Sequence, residues 1–94
     1  MTHFTYILHC ADNTLYVGAT NNIEKRLKEH NTSKQGAHYT KIRRPVALVH
    51  VEEFETLKES RAREAEIKRM KRQDKIQLVE SITGASGRIL PSQV

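Results

Sequence analysis

The sequence predicts one small α/β or α+β domain with its elements in the order β-β-α-β-α-α. Three observations carry that expectation. Residues 4–10 and 14–20 are rich in β-branched and aromatic types and are separated by only Ala11, Asp12 and Asn13, which reads as a hairpin. Residues 46–51 form a third apolar run, Val46-Ala47-Leu48-Val49-His50-Val51, too apolar for an exposed strand and so joined to the same sheet. The remaining apolar residues recur at helical spacing behind recognisable caps.

Each element can be justified in order. A three-residue turn with Asn13 in the left-handed region suits a type I turn with a bulge. It pairs Cys10 with Thr14, Leu8 with Tyr16 and Tyr6 with Gly18, so both tyrosines lie on one face; a two-residue loop at Asp12-Asn13 would put them on opposite faces. Gly18 then leaves room for a tyrosine ring or for a substrate backbone. Asn21 or Asn22 caps a helix to about His30, with Ile23 and Leu27 as its apolar stripe. Residues 32–37 form a polar, Gly-containing loop, and His38-Tyr39-Thr40 leads into the basic Lys41-Ile42-Arg43-Arg44-Pro45. Thr56-Leu57-Lys58-Glu59 is a capping box opening a helix to about Lys71, and Asp74-Lys75-Ile76-Gln77 repeats that form for a short helix to about Ser81. The domain is expected over residues 1–82, with residues 83–94 a mobile tail.

Composition narrows the classes. Ninety-four residues make one domain with much of its surface exposed. The mean hydropathy is −0.64, no apolar run approaches the roughly 20 residues of a membrane span, and the N-terminus has no export pattern. A soluble, cytoplasmic protein with no membrane partner is the expectation. Cys10 is the single cysteine, which excludes an internal disulfide and a Cys-rich zinc cage and reads as a buried strand residue. The net charge is +5 with a pI near 9.6. Lys25, Arg26, Lys28, Lys34, Lys41, Arg43 and Arg44 face only Glu29 between residues 25 and 44, so a polyanion is the natural partner. His38 and Tyr39 beside Lys41, Arg43 and Arg44 offer stacking and phosphate contact for single-stranded nucleic acid.

Several polar side chains fall where core residues belong. At about 100° per residue Arg26 lies roughly 60° and His30 roughly 20° from Ile23, on or beside the stripe that faces the sheet. Glu64 shares a stripe with Leu57, Ser60 and Ile67, and it has two readings: an i, i+4 ion pair with Lys68, or a ligand for a divalent cation. Gathered together, Tyr6, Tyr16, Arg26, His30, His38, Tyr39 and Glu64 suit phosphodiester cleavage. A cation on Glu64 would polarise the phosphate, Arg26 would neutralise charge building on it, Tyr16 would act as general base, and His30 would assist or orient that base.

In that order Tyr6, Tyr16-Val17-Gly18, Arg26, His30 and Glu64 resemble the GIY-YIG nuclease module over residues 3–82, and more closely its small single-domain UPF0213 members, whose pattern Ala37-His38-Tyr39-Thr40, Arg44-Pro45-Val46 and Arg63-Glu64-Ala65-Glu66-Ile67-Lys68 echo. The resemblance implies a three-stranded antiparallel sheet flanked by helices, a tyrosine base or nucleophile, Arg26 as the phosphate-stabilising arginine, and a Mg²⁺- or Mn²⁺-type ion on Glu64. It implies endonuclease activity on DNA in repair or recombination, with nucleic-acid contacts from His38, Tyr39, Lys41, Arg43, Arg44 and Lys68. Where relatives add separate DNA-binding domains, this chain would draw specificity from its basic loop, from nucleic-acid structure or from a protein partner. The first motif reads Phe4-Thr5-Tyr6 without the family's glycine, and residues 71–82 hold no asparagine after the metal helix. The alternative is a non-catalytic nucleic-acid binder that keeps the fold; a protein-interaction module is a third.

Overall fold

The computed structural model describes residues 2–85, and the side chains of residues 2–80. Strand β1, His3–Cys10, turns through residues 11–14 into β2, Leu15–Thr20. Asn13 takes φ 70°, its N–H reaches the Cys10 carbonyl at 2.9 Å, and the Cys10 N–H reaches the Thr14 carbonyl at 2.9 Å. Asp12 Oδ1 accepts from both the N–H and the hydroxyl of Thr14. The hairpin therefore takes the expected register, with Leu8 opposite Tyr16 and Tyr6 opposite Gly18.

Helix α1, Ile23–Thr32, is capped by Asn22, whose side chain accepts from the Lys25 N–H. It runs two residues beyond His30. A one-turn helix, α2, His38–Lys41, stands where the sequence suggested open loop. Strand β3, Val46–Phe54, runs three residues past the expected end at Val51, because Glu52, Glu53 and Phe54 continue the antiparallel pairing with Thr5, Phe4 and His3. The sheet order is β2-β1-β3, with a register shift between Ile7 and Leu8.

Helix α3, Leu57–Lys68, opens on the complete Thr56–Glu59 capping box. It stops at Arg69, whose N–H is shared among the carbonyls of Ala65, Glu66 and Ile67, rather than at Lys71. Helix α4, Arg72–Ala85, begins two residues before Asp74, so Asp74 lies inside its first turn instead of capping it. The helix continues beyond Ser81, and the rest of the expected tail, residues 86–94, lies outside the described residues.

The central position of β1 gives the sheet two covered faces. On one, Tyr6, Leu8, Cys10, Val46 and Leu48 form a core completed by Ile23, Leu27, Tyr16, Tyr39 and Val51. On the other, Ile7, Val17 and Ile67 pack with Leu15, Val49, Met70, Leu78 and Val79 from β2, β3, the α3–α4 corner and α4. Leu57 does not join the inner stripe of α3 and stays exposed; Ser60 and Ile67 are the residues that face inward. Among the described residues no helix is long and apolar enough to cross a membrane.

Polar groups also fasten α3 to the sheet. The Thr5 hydroxyl donates to the Ser60 carbonyl at 2.7 Å. Glu52 accepts from Arg63 through Nε at 2.9 Å and a second nitrogen at 3.1 Å, and from His50 Nε2 at 2.7 Å. Burial alone would raise the Glu52 carboxyl, but the His50 and Arg63 hydrogen bonds overcome it and hold the pKa down at about 2. A depressed carboxylate contributes stability above its ordinary value of 4.5, and that contribution is lost as pH falls from there through about 2. Urea unfolding between pH 5 and 2 should accordingly lose on the order of 2 kcal/mol more in the parent than in Glu52→Gln. Equal acid slopes in the two proteins would contradict this role for Glu52.

Candidate active site

The hairpin register puts Tyr6 and Tyr16 on the α1 face of the sheet, with Gly18 directly across from Tyr6. A Cβ on Gly18 would lie 2.4 Å from the Tyr6 hydroxyl oxygen and 2.6 Å from Cζ. Gly18 is thus the space the ring occupies, the first of the two uses its sequence position suggested. Tyr6 is 2% exposed, and its hydroxyl lies 2.8 Å from His30 Nε2.

His30, wholly buried, arrives from the inner face of α1 as its spacing implied. Its Nδ1 lies 2.7 Å from the hydroxyl of Thr40 on α2, which in turn donates to the Ala37 carbonyl at 3.0 Å. Burial, with the charge of Arg26 adding to it, lowers the His30 pKa to about 4, so the ring is neutral at neutral pH. Burial pushes the Tyr6 hydroxyl up to about 12 against the opposing pull of Arg26. Tyr6 is therefore a proton-bearing donor and not a base at neutral pH.

Around this hydroxyl the other expected residues gather. Arg26 is near enough to draw the pKa of this hydroxyl down, while Tyr16 and Glu64 press it upward. Arg26 is aimed by two further contacts of NH1, to Glu29 Oε1 at 2.9 Å and to the Gln35 carbonyl at 2.8 Å. The Tyr16 ring meets His30 edge-on with centroids 5.1 Å apart and continues to Tyr39 at 5.7 Å. Glu64 approaches from α3 with its carboxylate 2.9 Å from Lys68 Nζ; its side chain is 19% exposed. Among the described residues no group of three or more His, Cys, Asp and Glu converges as a protein-built metal cage.

The basic segment divides in two. His38 and Lys41 are exposed at α2. Arg43 instead stacks on the Tyr39 ring, 3.8 Å from its centroid, pairs with Asp12 at 2.9 Å and donates to the Tyr39 carbonyl. With Tyr16 on one side and Arg43 over its ring, Tyr39 is already stacked within the protein. Arg44 turns inward and donates to three carbonyls at the end of α1: His30 and Ser33 at 2.6 Å and Glu29 at 3.2 Å. Cationic donors there complement the unpaired carbonyls and the negative end of the helix. Gly36 is buried against the same turn, where a Cβ would lie 2.6 Å from the Glu29 carbonyl oxygen.

Residues the sequence reading passed over complete the surroundings. Asn31 clasps the backbone of Val46 at both N–H and carbonyl, 2.7 and 2.9 Å, which ties α1 to the start of β3. Thr40 holds His30, and no spacing rule links two residues ten apart across a loop. Arg61 lies one turn before Glu64 on α3, beside a cleft of about 260 Å³ lined also by His3, Ala19, Thr20, Asn21 and Leu57. Leu57, Arg61, Glu64 and Lys68 fall within about 60° of one another on the helix, a single stripe.

Family comparison places the chain independently of these side chains. The model of the GIY-YIG catalytic domain matches residues 2–77. The chain belongs to the GIY-YIG family. Its relatives include a UPF0213 protein of Syntrophus aciditrophicus, 56% identical over 78 residues that cover 83% of this chain and 90% of that one, and one of Bacillus velezensis, 51% identical over 79 residues, 84% and 79% of the two chains. Among solved structures it is similar to the solution structure of a UPF0213 protein from Bacillus halodurans, with TM-score 0.58 and 39% identity over 90% of this chain and 89% of that chain. A protein of E. faecalis gives TM-score 0.60 at the same identity, covering 88% of each chain. The antiparallel sheet and the β-β-α-β-α-α succession are those expected from the sequence, with the one-turn α2 added before β3, and the domain is of nuclease type.

Proposed function

We propose that this GIY-YIG protein is a metal-dependent endonuclease that hydrolyses phosphodiester bonds in structured or single-stranded nucleic acid, with DNA as the principal substrate. The observation that carries the reading is the buried Tyr6–His30 hydrogen bond with the Tyr16 ring edge-on to His30, and with Arg26 and Glu64 near enough to act on the Tyr6 hydroxyl. Cytoplasmic action in DNA repair or recombination, with a protein partner supplying site choice, belongs to the same proposal.

In this mechanism the phosphate is drawn to Arg26, whose guanidinium offers paired donors to the non-bridging oxygens as charge builds there. Tyr16, half-buried above His30, takes the proton of the attacking water, while Tyr6, held by His30, fixes that water in place. Glu64 fits a hard cation such as Mg²⁺ or Mn²⁺, since such ions are commonly held by one or two carboxylates with waters and substrate phosphates completing the shell. Bound there, the ion supplies Lewis-acid stabilisation for the leaving oxygen. Lys68, half-exposed beside Glu64, is the cation placed to meet a phosphate there. Arg61 and Lys68 stand one turn to either side of Glu64, so the strand runs along this stripe of α3, and the exposed His38 and Lys41 meet it from the α2 side.

Purified protein incubated with branched, flapped and single-stranded DNA and RNA plus Mg²⁺ or Mn²⁺ tests the reading. Cleavage should fall at least about 100-fold in Tyr16→Phe and in Glu64→Ala, consistent with loss of a general base or of metal binding. Cleavage unaffected by both changes overturns the mechanism. Salt-dependent binding without turnover would favour the non-catalytic binder, the reading in which the Glu64–Lys68 pair is purely structural.

A further inference from the structure

The hydrogen-bond chain beneath Tyr6 has a direction. A threonine hydroxyl carries one hydrogen, and the Thr40 oxygen lies 3.0 Å from the Ala37 carbonyl, which can only accept, and 2.7 Å from His30 Nδ1. With that hydrogen given to Ala37, the oxygen accepts from His30 Nδ1, which then bears the ring proton. Nε2 is left with a lone pair 2.8 Å from the Tyr6 oxygen, so Tyr6 donates to it. The reverse chain would take the Thr40 hydrogen off Ala37 and present both a His30 N–H and Arg26 to the Tyr6 oxygen. It would also leave the Tyr6 hydrogen without an acceptor among the described residues.

We propose that Thr40 is a positioning residue for the cleavage reaction: by holding His30 in the Nδ1–H tautomer, it turns the Tyr6 hydrogen away from the cleft and the Tyr6 lone pairs toward Arg26 and the attacking water. This rests on the nuclease reading above. Thr40 is suited to the task because it is wholly buried and its backbone is fixed by α2, with its N–H on the Ala37 carbonyl and its own carbonyl accepting from Arg43. It separates the two tyrosines by role. Tyr6 receives a hydrogen bond from the water and orients it; Tyr16 removes the proton.

The tautomer can be read directly from long-range ¹H–¹⁵N correlations of His30, independently of any cleavage. The parent and Thr40→Ser should show Nδ1–H, whereas Thr40→Val, which keeps the shape and loses the hydroxyl, should show Nε2–H or a mixture. On a substrate that the parent cleaves, Thr40→Val should lower kcat about tenfold or more with KM little changed, and Thr40→Ser should restore it to within about twofold. An Nε2–H parent overturns the proposal. So does a Thr40→Val protein that keeps the tautomer, or one that changes it and retains kcat. If the parent cleaves no substrate, the nuclease reading and the catalytic role of Thr40 fall together, although the tautomer stands as measured. If it cleaves with His30 in the other tautomer, only the role of Thr40 falls.

Discussion

Gly18→Ala is expected to be among the most damaging single-methyl changes in this protein. The added carbon would sit 2.4 Å from the Tyr6 hydroxyl oxygen and 2.6 Å from the ring, far inside van der Waals contact. The far end of an exposed side chain could swing aside, but the Tyr6 ring is enclosed in the core with Leu8, Leu48 and Val51 around it. Overpacking at such a site costs about 1–3 kcal/mol. Loss of the buried Tyr6–His30 bond adds a further 1–3 kcal/mol or so, and in a domain of this size the melting temperature should drop by more than about 10 °C. Cleavage should fall with it even below the melting transition, because the displaced hydroxyl no longer faces Arg26. The diagnostic is coupling: in a Tyr6→Leu background the same Gly18→Ala change should cost much less. An unchanged melting temperature in the single variant would show that the ring does not lie over Gly18.

Arg44 provides the second large effect, and it separates two meanings of one residue. As a phosphate contact its loss would weaken nucleic-acid binding and reduce the salt slope without disturbing the fold. In the structure its guanidinium ties the last carbonyls of α1 to the Ser33 carbonyl, next to the loop that carries Gly36 and leads to Thr40. Arg44→Gln should consequently destabilise the protein by about 2–4 kcal/mol, since hydrogen bonds to charged groups contribute roughly 1.5–3 kcal/mol each and are only partly replaced. Lys41→Gln, at an exposed position, should leave unfolding unchanged within about 0.5 kcal/mol and act on binding alone. Equal stability of the two variants in chemical denaturation would return Arg44 to the surface.

Much of the candidate site was legible because short-range rules decide it. The hairpin depends on a three-residue turn with Asn13 at positive φ, and once that turn is set the period of two in a strand places Tyr6, Tyr16 and Gly18 on one face. Helical periodicity brought Arg26 and His30 to the sheet in the same way. Both features lie within a turn or two of the chain, where backbone sterics and capping outweigh distant contacts.

What the sequence by itself determined was this local grammar: element order, hairpin register, a cap at Asn21 or Asn22 and another at Thr56, and which side chains could reach the cleft. Tertiary structure alone decided what the polar groups do once there. Arg43 and Arg44 have the same chemistry as Lys41 but stack on Tyr39 and close α1, while Lys41 stays in water. Thr40 became the partner of His30 only because α2 folds back over α1. These outcomes turn on which buried donors and acceptors meet across ten or more residues. A buried polar group must find its partner wherever the fold provides one, so sequence spacing does not name it.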